Sequence, residues 1–156
     1  MTIWIAEHVL ATMRTDGRLF HPLETGGILL GWRSGHDKII AQVRGAGPNA
    51  LHGRSRFLPD HRWQMREIED AFRNSDGDLD YLGDWHTHPD GMADMSDEDE
   101  RTLMRIARRV RQPIMLILAN SSNWDWSYGC WLGQRKLAFL RQRGEIVRVD
   151  LQTFTT

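Results

Sequence analysis

The sequence predicts an α/β (α+β) fold, a mixed β-sheet flanked by two to three helices. Three observations predict it. Short apolar runs bounded by glycine, proline and polar turns recur along the chain and read as strands. Two stretches, Asp60–Arg73 and Ser96–Arg111, place apolar residues at spacings of three and four instead. Some strands follow one another through a tight turn while others are separated by a helix, which mixes hairpins with crossovers.

The elements follow in order. Thr2–Ala6 is a short strand running into EHVLATMRTDG, where Val9, Leu10 and Met13 recur at helical spacing and Gly17 reads as the stop. Glu24–Trp32 carries four apolar residues after two glycines and is expected to be a buried strand. It should pair with Lys38–Val43 through the turn Ser34–Asp37. Arg44–Pro59 is rich in Gly, Pro, Asn and Arg and reads as an irregular loop with a short strand near Ser55–Leu58. Asp60 is a candidate N-cap for the helix to Arg73, with Met65, Ile68 and Phe72 as its apolar stripe. Asn74–Asp80 is a turn, Tyr81–His88 a strand and Asp90–Met95 a loop. The helix from Ser96 presents Leu103, Ile106, Ala107 and Val110 inwards and ends before Pro113. Ile114–Ala119 is a continuous apolar run, hence a central strand. Trp126–Leu132 and Ile146–Leu151 complete the sheet. Trp4, Trp32 and Trp131 lie in strand patterns and are expected in the core.

The chain has 156 residues, the length of a single domain spanning 1–156, and no internal repeat. Twenty Lys+Arg against 21 Asp+Glu leave a net charge of -1, which argues against a protein that coats nucleic acid or an anionic membrane. Cys130 is the one cysteine, so no intramolecular disulfide can form and a reducing, cytoplasmic setting is expected. The N-terminus lacks the pattern of a signal peptide. The longest strongly apolar run, Pro113–Ala119, is far short of a membrane span.

Chemistry concentrates in His86-Thr87-His88-Pro89 and Ser96-Asp97-Glu98-Asp99. Side chains at i and i+2 of a strand share a face, so His86 and His88 present two imidazoles together. Ser96 stands at a helix start and Asp99 one turn in. Two imidazoles and one carboxylate form a tripod with a fourth position open, which suits catalytic zinc and its water. Ser-x-x-Asp also reads as a capping box, and the two readings agree, because the cap fixes the helix that carries Asp99. Hydrolysis at such a site needs a base, and Glu24 is the candidate. Its alternative is a solvent-facing strand terminus. Thr87 faces the opposite side. Asp84 shares the histidines' face, either orienting a ligand or lying exposed.

Glu24, a long gap, His-Thr-His-Pro, seven residues and Ser-x-x-Asp together resemble the signature of the JAMM (MPN+) metalloproteases, with no member missing. The ETGGILLG stretch fits as well, and the resemblance spans Ile3 to Trp131. It implies a cytidine-deaminase-like MPN/JAB fold. It implies zinc held by His86, His88 and Asp99, Glu24 as general acid/base, and Ser96 as donor to the tetrahedral oxyanion. The implied reaction cleaves isopeptide or peptide bonds after the C-terminal glycine of a ubiquitin-like protein. The implied partners are that protein or its conjugates, with E1- and E2-like enzymes encoded nearby in anti-phage operons, and neither nucleic acid nor membrane. Processing of a sulfur-carrier protein is the alternative setting. A non-catalytic MPN scaffold would have lost motif residues, and none is lost here.

Three features stand apart from this motif. Cys130, between Gly129 and Trp131, reads as a structural thiol rather than a nucleophile. Trp124 and Trp126 flank Asp125 in a loop-like segment, either exposed as a partner anchor or folded onto the core. Arg105, Arg108, Arg109 and Arg111 read as a solvated helix face that balances Asp97, Glu98 and Glu100 along the helix dipole.

Overall fold

A computed structural model describes residues 1–138 and 141–155. It contains β1 (Thr2–Ala6), α1 (Glu7–Phe20), β2 (Gly26–Ser34), β3 (Asp37–Arg44), β4 (Leu51–His52), β5 (Phe57–Leu58) and α2 (His61–Asn74). Then follow β6 (Asp80–His88), α3 (Asp97–Ile106), β7 (Ile114–Asn120), β8 (Trp126–Ala138), β9 (Arg141–Arg148) and β10 (Asp150–Phe154). Eight strands form one mixed sheet in the order β10-β1-β3-β2-β6-β7-β8-β9, and β4 and β5 form a separate small hairpin.

The sheet has two covered faces, set by the two-residue period of its strands. Leu116 and Leu118 of β7 join Leu29, Ile40 and Leu82 in the main core, where Val9, Leu10 and Met13 of α1 pack. Met115 and Ile117 point the other way, onto Leu103 of α3 and Trp131. Ile28 and Leu30 share that second face and receive Ala71 of α2. All seven residues of β7 are buried, as expected of a strand covered on both sides.

Several elements differ from the sequence reading, each for a physical reason. Gly17 lies inside α1 rather than ending it, because a Cβ there would sit 2.7 Å from Trp126 Cη2. The glycine lets the helix approach the sheet. β2 begins at Gly26, so Glu24 precedes the strand rather than starting it. Gly26 and Gly27 are needed because their side chains would overlap the Trp85 and Arg44 carbonyls. The expected short strand near Ser55–Leu58 is β5, with β4 as an unforeseen partner. Asp60 does cap α2, accepting from Trp63 N at 3.1 Å. However, the helix buries Gln64 and Ala71, while Met65 and Phe72 stay 43% and 50% exposed.

α3 ends at Ile106, short of Arg111, and turns lead through Gln112 at φ 49° into Pro113. Trp131 is buried as expected. Trp4 and Trp32 are 36% and 42% exposed, because they sit with Ile39 on the part of the second face that α2 does not reach. β8 runs beyond Leu132, and the last expected strand is two, β9 and β10, split at Val149. Val149 donates to Cys130 O at 2.9 Å, so the chain passes directly from one edge of the sheet to the other and the sheet curls. Among the described residues no helix is long and apolar enough to cross a membrane.

Candidate metal centre

The last three residues of β6 build the first half of the site. Thr87 points into the α1 side and is buried. Its Oγ1 accepts from Thr25 N–H at 3.1 Å and donates to Thr25 O at 3.3 Å, and its N–H donates to Thr25 O at 2.8 Å. That clasp forces His86 and His88 to the opposite face, between α2 and α3. Gly26 pairs with His86, and continuing the antiparallel register sets Glu24 opposite His88.

The second half comes from α3. Ser96 Oγ accepts from Asp99 N–H at 3.2 Å, and Asp99 Oδ2 accepts from Ser96 N–H at 2.8 Å and Ser96 Oγ at 2.7 Å. This reciprocal capping box starts the helix and turns the Asp99 carboxylate back over the strand end. His86 Nε2 lies 3.1 Å from Asp99 Oδ1, His88 Nε2 lies 3.4 Å from Asp99 Oδ2, and the two Nε2 atoms are 3.0 Å apart.

These separations test the site for a metal. One ligand atom from each of His86, His88 and Asp99 falls within 4.8 Å of the others. Three donors about 2 Å from a tetrahedral ion stand about 3.3 Å from each other, close to what is found. His88 Nδ1 lies 3.0 Å from Met92 O. A carbonyl can only accept, so the proton is on Nδ1 and the Nε2 lone pair faces the group. Two borderline nitrogen donors and one oxygen donor suit zinc.

Charge at the site is strongly coupled. Burial alone would raise the Asp99 pKa, but the His86 and His88 imidazoles and the Ser96 hydroxyl beside it outweigh burial and hold the carboxyl well below the usual carboxylate range. Burial opposes charge on His88 too, yet Asp99, the Met92 carbonyl and Glu24 leave its pKa raised. Glu24 is half-buried, and burial pushes its pKa up, partly offset by His86 and His88. Its main chain is fixed on both sides. Glu24 N–H donates to Gly53 O at 2.7 Å, and His52 Nδ1 donates to Glu24 O at 2.9 Å. The His52 ring stacks on Phe20, with centroids 3.9 Å apart.

The five residues singled out in the sequence are thus brought to one place. Asp84 lies below them, its carboxylate accepting from Tyr81 Oη at 2.7 Å and its pKa raised by burial. Trp124 and Trp126 fold back onto the protein. Trp126 lies over Gly17, and Trp124 sits edge-on to His21 and beneath Arg18. Cys130 is buried, its thiol pushed up to about 12 by desolvation, as a structural thiol should be. Arg105, Arg108, Arg109 and Arg111 are solvent-exposed. The sequence reading missed His52, whose role arises from a hairpin pairing that no local pattern announces. It also missed the Met92 carbonyl, a backbone group with no residue signature.

Residues 6–129 match the family model described as prokaryotic homologs of the JAB domain. The chain is 34% identical over 161 aligned positions to a protein named probable metalloprotease y4qB from Sinorhizobium fredii (strain NBRC 101917 / NGR234), covering 99% of this chain and 98% of that one. It is 26% identical over 121 positions to a CD-NTase/cGAS isopeptidase of Vibrio cholerae serotype O1, covering 77% and 78%. A relative of that same name in Escherichia coli (strain TW11681) is 29% identical over 101 positions, 65% of each chain. The solution structure of protein DSY2949 from Desulfitobacterium hafniense superposes with a TM-score of 0.76 at 20% identity, over 99% of this chain and 94% of that one, and shares the fold. With the motif, the sheet and a family match over most of its length in agreement, the chain belongs to the prokaryotic JAB family.

Proposed function

We propose that this protein is a zinc-dependent isopeptidase or peptidase, one domain in extent, that cleaves after the C-terminal glycine of a ubiquitin-like protein. The observation that carries this reading is the convergence of His86, His88 and Asp99 at metal-ligand spacing, with the half-buried Glu24 facing them. His86 Nε2, His88 Nε2 and Asp99 would hold the zinc. When bound, zinc supplies a Lewis acid for a scissile carbonyl and makes water a nucleophile near neutral pH.

The remaining chemistry falls to the chain's own groups. Glu24 takes the proton of the attacking water and delivers it to the leaving amine. Its raised pKa suits a group that must both accept and release a proton. The Ser96 hydroxyl donates to the oxyanion by turning away from Asp99 Oδ2, which the Ser96 backbone N–H continues to hold.

Substrate choice follows from shape. A tail ending in glycine lets its backbone approach the metal with no Cβ to clash. Selectivity then rests on the folded body of the partner, met by the segments Arg44–Pro59 and Asn120–Tyr128. Relatives named CD-NTase/cGAS isopeptidase support an isopeptide bond. A defence setting within the cytoplasm, alongside E1- and E2-like enzymes, is part of the same proposal and rests on the motif resemblance. The test is mass spectrometry of a ubiquitin-like fusion incubated with wild-type and Glu24→Ala protein. Cleavage just after the terminal glycine by wild type alone is expected. Cleavage inside the folded body, or equal turnover of unrelated unfolded proteins, overturns the reading.

A further inference from the structure

We propose that Asp90 is a positioning residue that fixes the tautomer and direction of His88, an inference that rests on the metal reading of the site. The segment His88-Pro89-Asp90-Gly91 is a β-turn, closed by Gly91 N–H donating to His88 O at 3.2 Å. Pro89 occupies its second position and Asp90 its third. Asp90 has φ 55°, a conformation that a turn with proline ahead of it normally reserves for glycine or asparagine. An aspartate held there calls for a reason, and its side chain supplies one.

Asp90 Oδ2 accepts from His21 Nε2 at 2.8 Å, and Oδ1 accepts from Asn120 Nδ2 at 3.1 Å. Its backbone N–H donates to Asn120 Oδ1 at 3.3 Å. Asn120 is buried at the end of β7, and His21 follows the end of α1, its ring packed edge-on to Trp124 at 4.9 Å. Asp90 therefore ties the turn to two rigid elements at once. Two residues on, Met92 O accepts from His88 Nδ1 at 3.0 Å. The anchored turn carries that carbonyl, and the carbonyl decides which ring nitrogen of His88 keeps the proton. Partners of this kind behind a metal-binding histidine typically change metal affinity by 10–100-fold.

The decisive variant is Asp90→Gly. Glycine adopts the turn's φ without strain, so the backbone is favoured while the anchor to His21 and Asn120 is lost. In metal-free protein, at alkaline pH where the imidazole is neutral, nitrogen-detected NMR should show His88 protonated on Nδ1 in wild type and exchanging between tautomers in the variant. Zinc affinity by chelator competition should fall about tenfold. Asp90→Asn, which tolerates the same φ and keeps part of the hydrogen bonding, should lie between the two and serves if Asp90→Gly does not fold. An unchanged tautomer and a zinc affinity within about twofold of wild type overturn the proposal. Wild-type protein that binds no zinc overturns the metal reading instead, while the tautomer comparison still decides the role of Asp90.

Discussion

Ser96 and Asp99 hold each other through three hydrogen bonds within one helical turn, the shortest from Ser96 Oγ to Asp99 Oδ2 at 2.7 Å. A hydroxyl has one proton, so the proton that steadies Asp99 in this structure is the one that the proposed oxyanion contact would use. Replacing Ser96 removes both roles at once, whereas the backbone N–H contact survives.

Ser96→Ala should cost about 1 kcal/mol of stability through the lost cap. The rate of hydrolysis should fall about 10²-fold if one oxyanion donor is lost. Denaturant unfolding and single-turnover kinetics separate the two effects. A rate unchanged beyond the effect on folding would leave Ser96 as a cap alone.

Protein purified without chelators should contain about one zinc per chain by elemental analysis. His86→Ala and Asp99→Asn should each lose it, because removing one of three protein donors leaves a weak two-point site. Glu24→Gln should retain the metal. Full metal content in His86→Ala would place the ion elsewhere.

Lys38 is buried, its ammonium donating to Gln112 O, and desolvation lowers its pKa from 10.5 to about 8. Below about pH 8 both folded and unfolded chains carry the charge, and the folded state bears its full burial cost. Between about 8 and 10.5 the unfolded chain binds more protons, so this group makes stability rise with pH. Wild type should gain up to about 3 kcal/mol relative to Lys38→Met across that window. Urea titrations at a series of pH values measure the difference, and a constant offset would contradict the assignment.

Gly17→Ala sets two effects against each other. Alanine favours an exposed helix by about 1 kcal/mol over glycine. Here its Cβ would lie 2.7 Å from Trp126 Cη2 and 3.2 Å from Thr87 Cγ2. Overpacking of a tight core costs typically 1–3 kcal/mol, so the variant should be less stable than wild type by thermal unfolding. A rise in Tm would show that α1 can move away from the sheet.

The candidate site was legible in the sequence as a cluster because its residue pairs are local. His86 and His88 lie two apart on a strand, and Ser96 and Asp99 three apart at a helix start, so periodicity alone faces each pair the right way. Glu24 was legible as a residue but not as a place, because its position depends on the clasp between Thr25 and Thr87. Elements with a strong local period, such as β6 and β7, matched closely. Failures came where a distant contact decides. Gly17 stays within its helix because Trp126, over a hundred residues away, packs against it, and Trp4 and Trp32 are exposed because α2 packs on β2 and β6 and leaves that part of the face open. Met65 and Phe72 have the right spacing for a buried stripe, but α2 is rotated to bury Gln64 and Ala71.

The curl of the sheet also has a consequence for synthesis. β1 lies between β3 and β10 and pairs with both in parallel, with Thr2 beside Asp150 and Ala6 beside Phe154. β1 therefore waits for β10, made well over a hundred residues later, before its outer edge is covered. Any nascent chain reaching only to Val149 presents that edge, with its backbone donors and acceptors unpaired, to other chains. Pairing across nearly the whole sequence is also slow to form. The order of translation thus leaves a period in which the strand end that carries His86 and His88 is already made while the sheet beside β1 is still open.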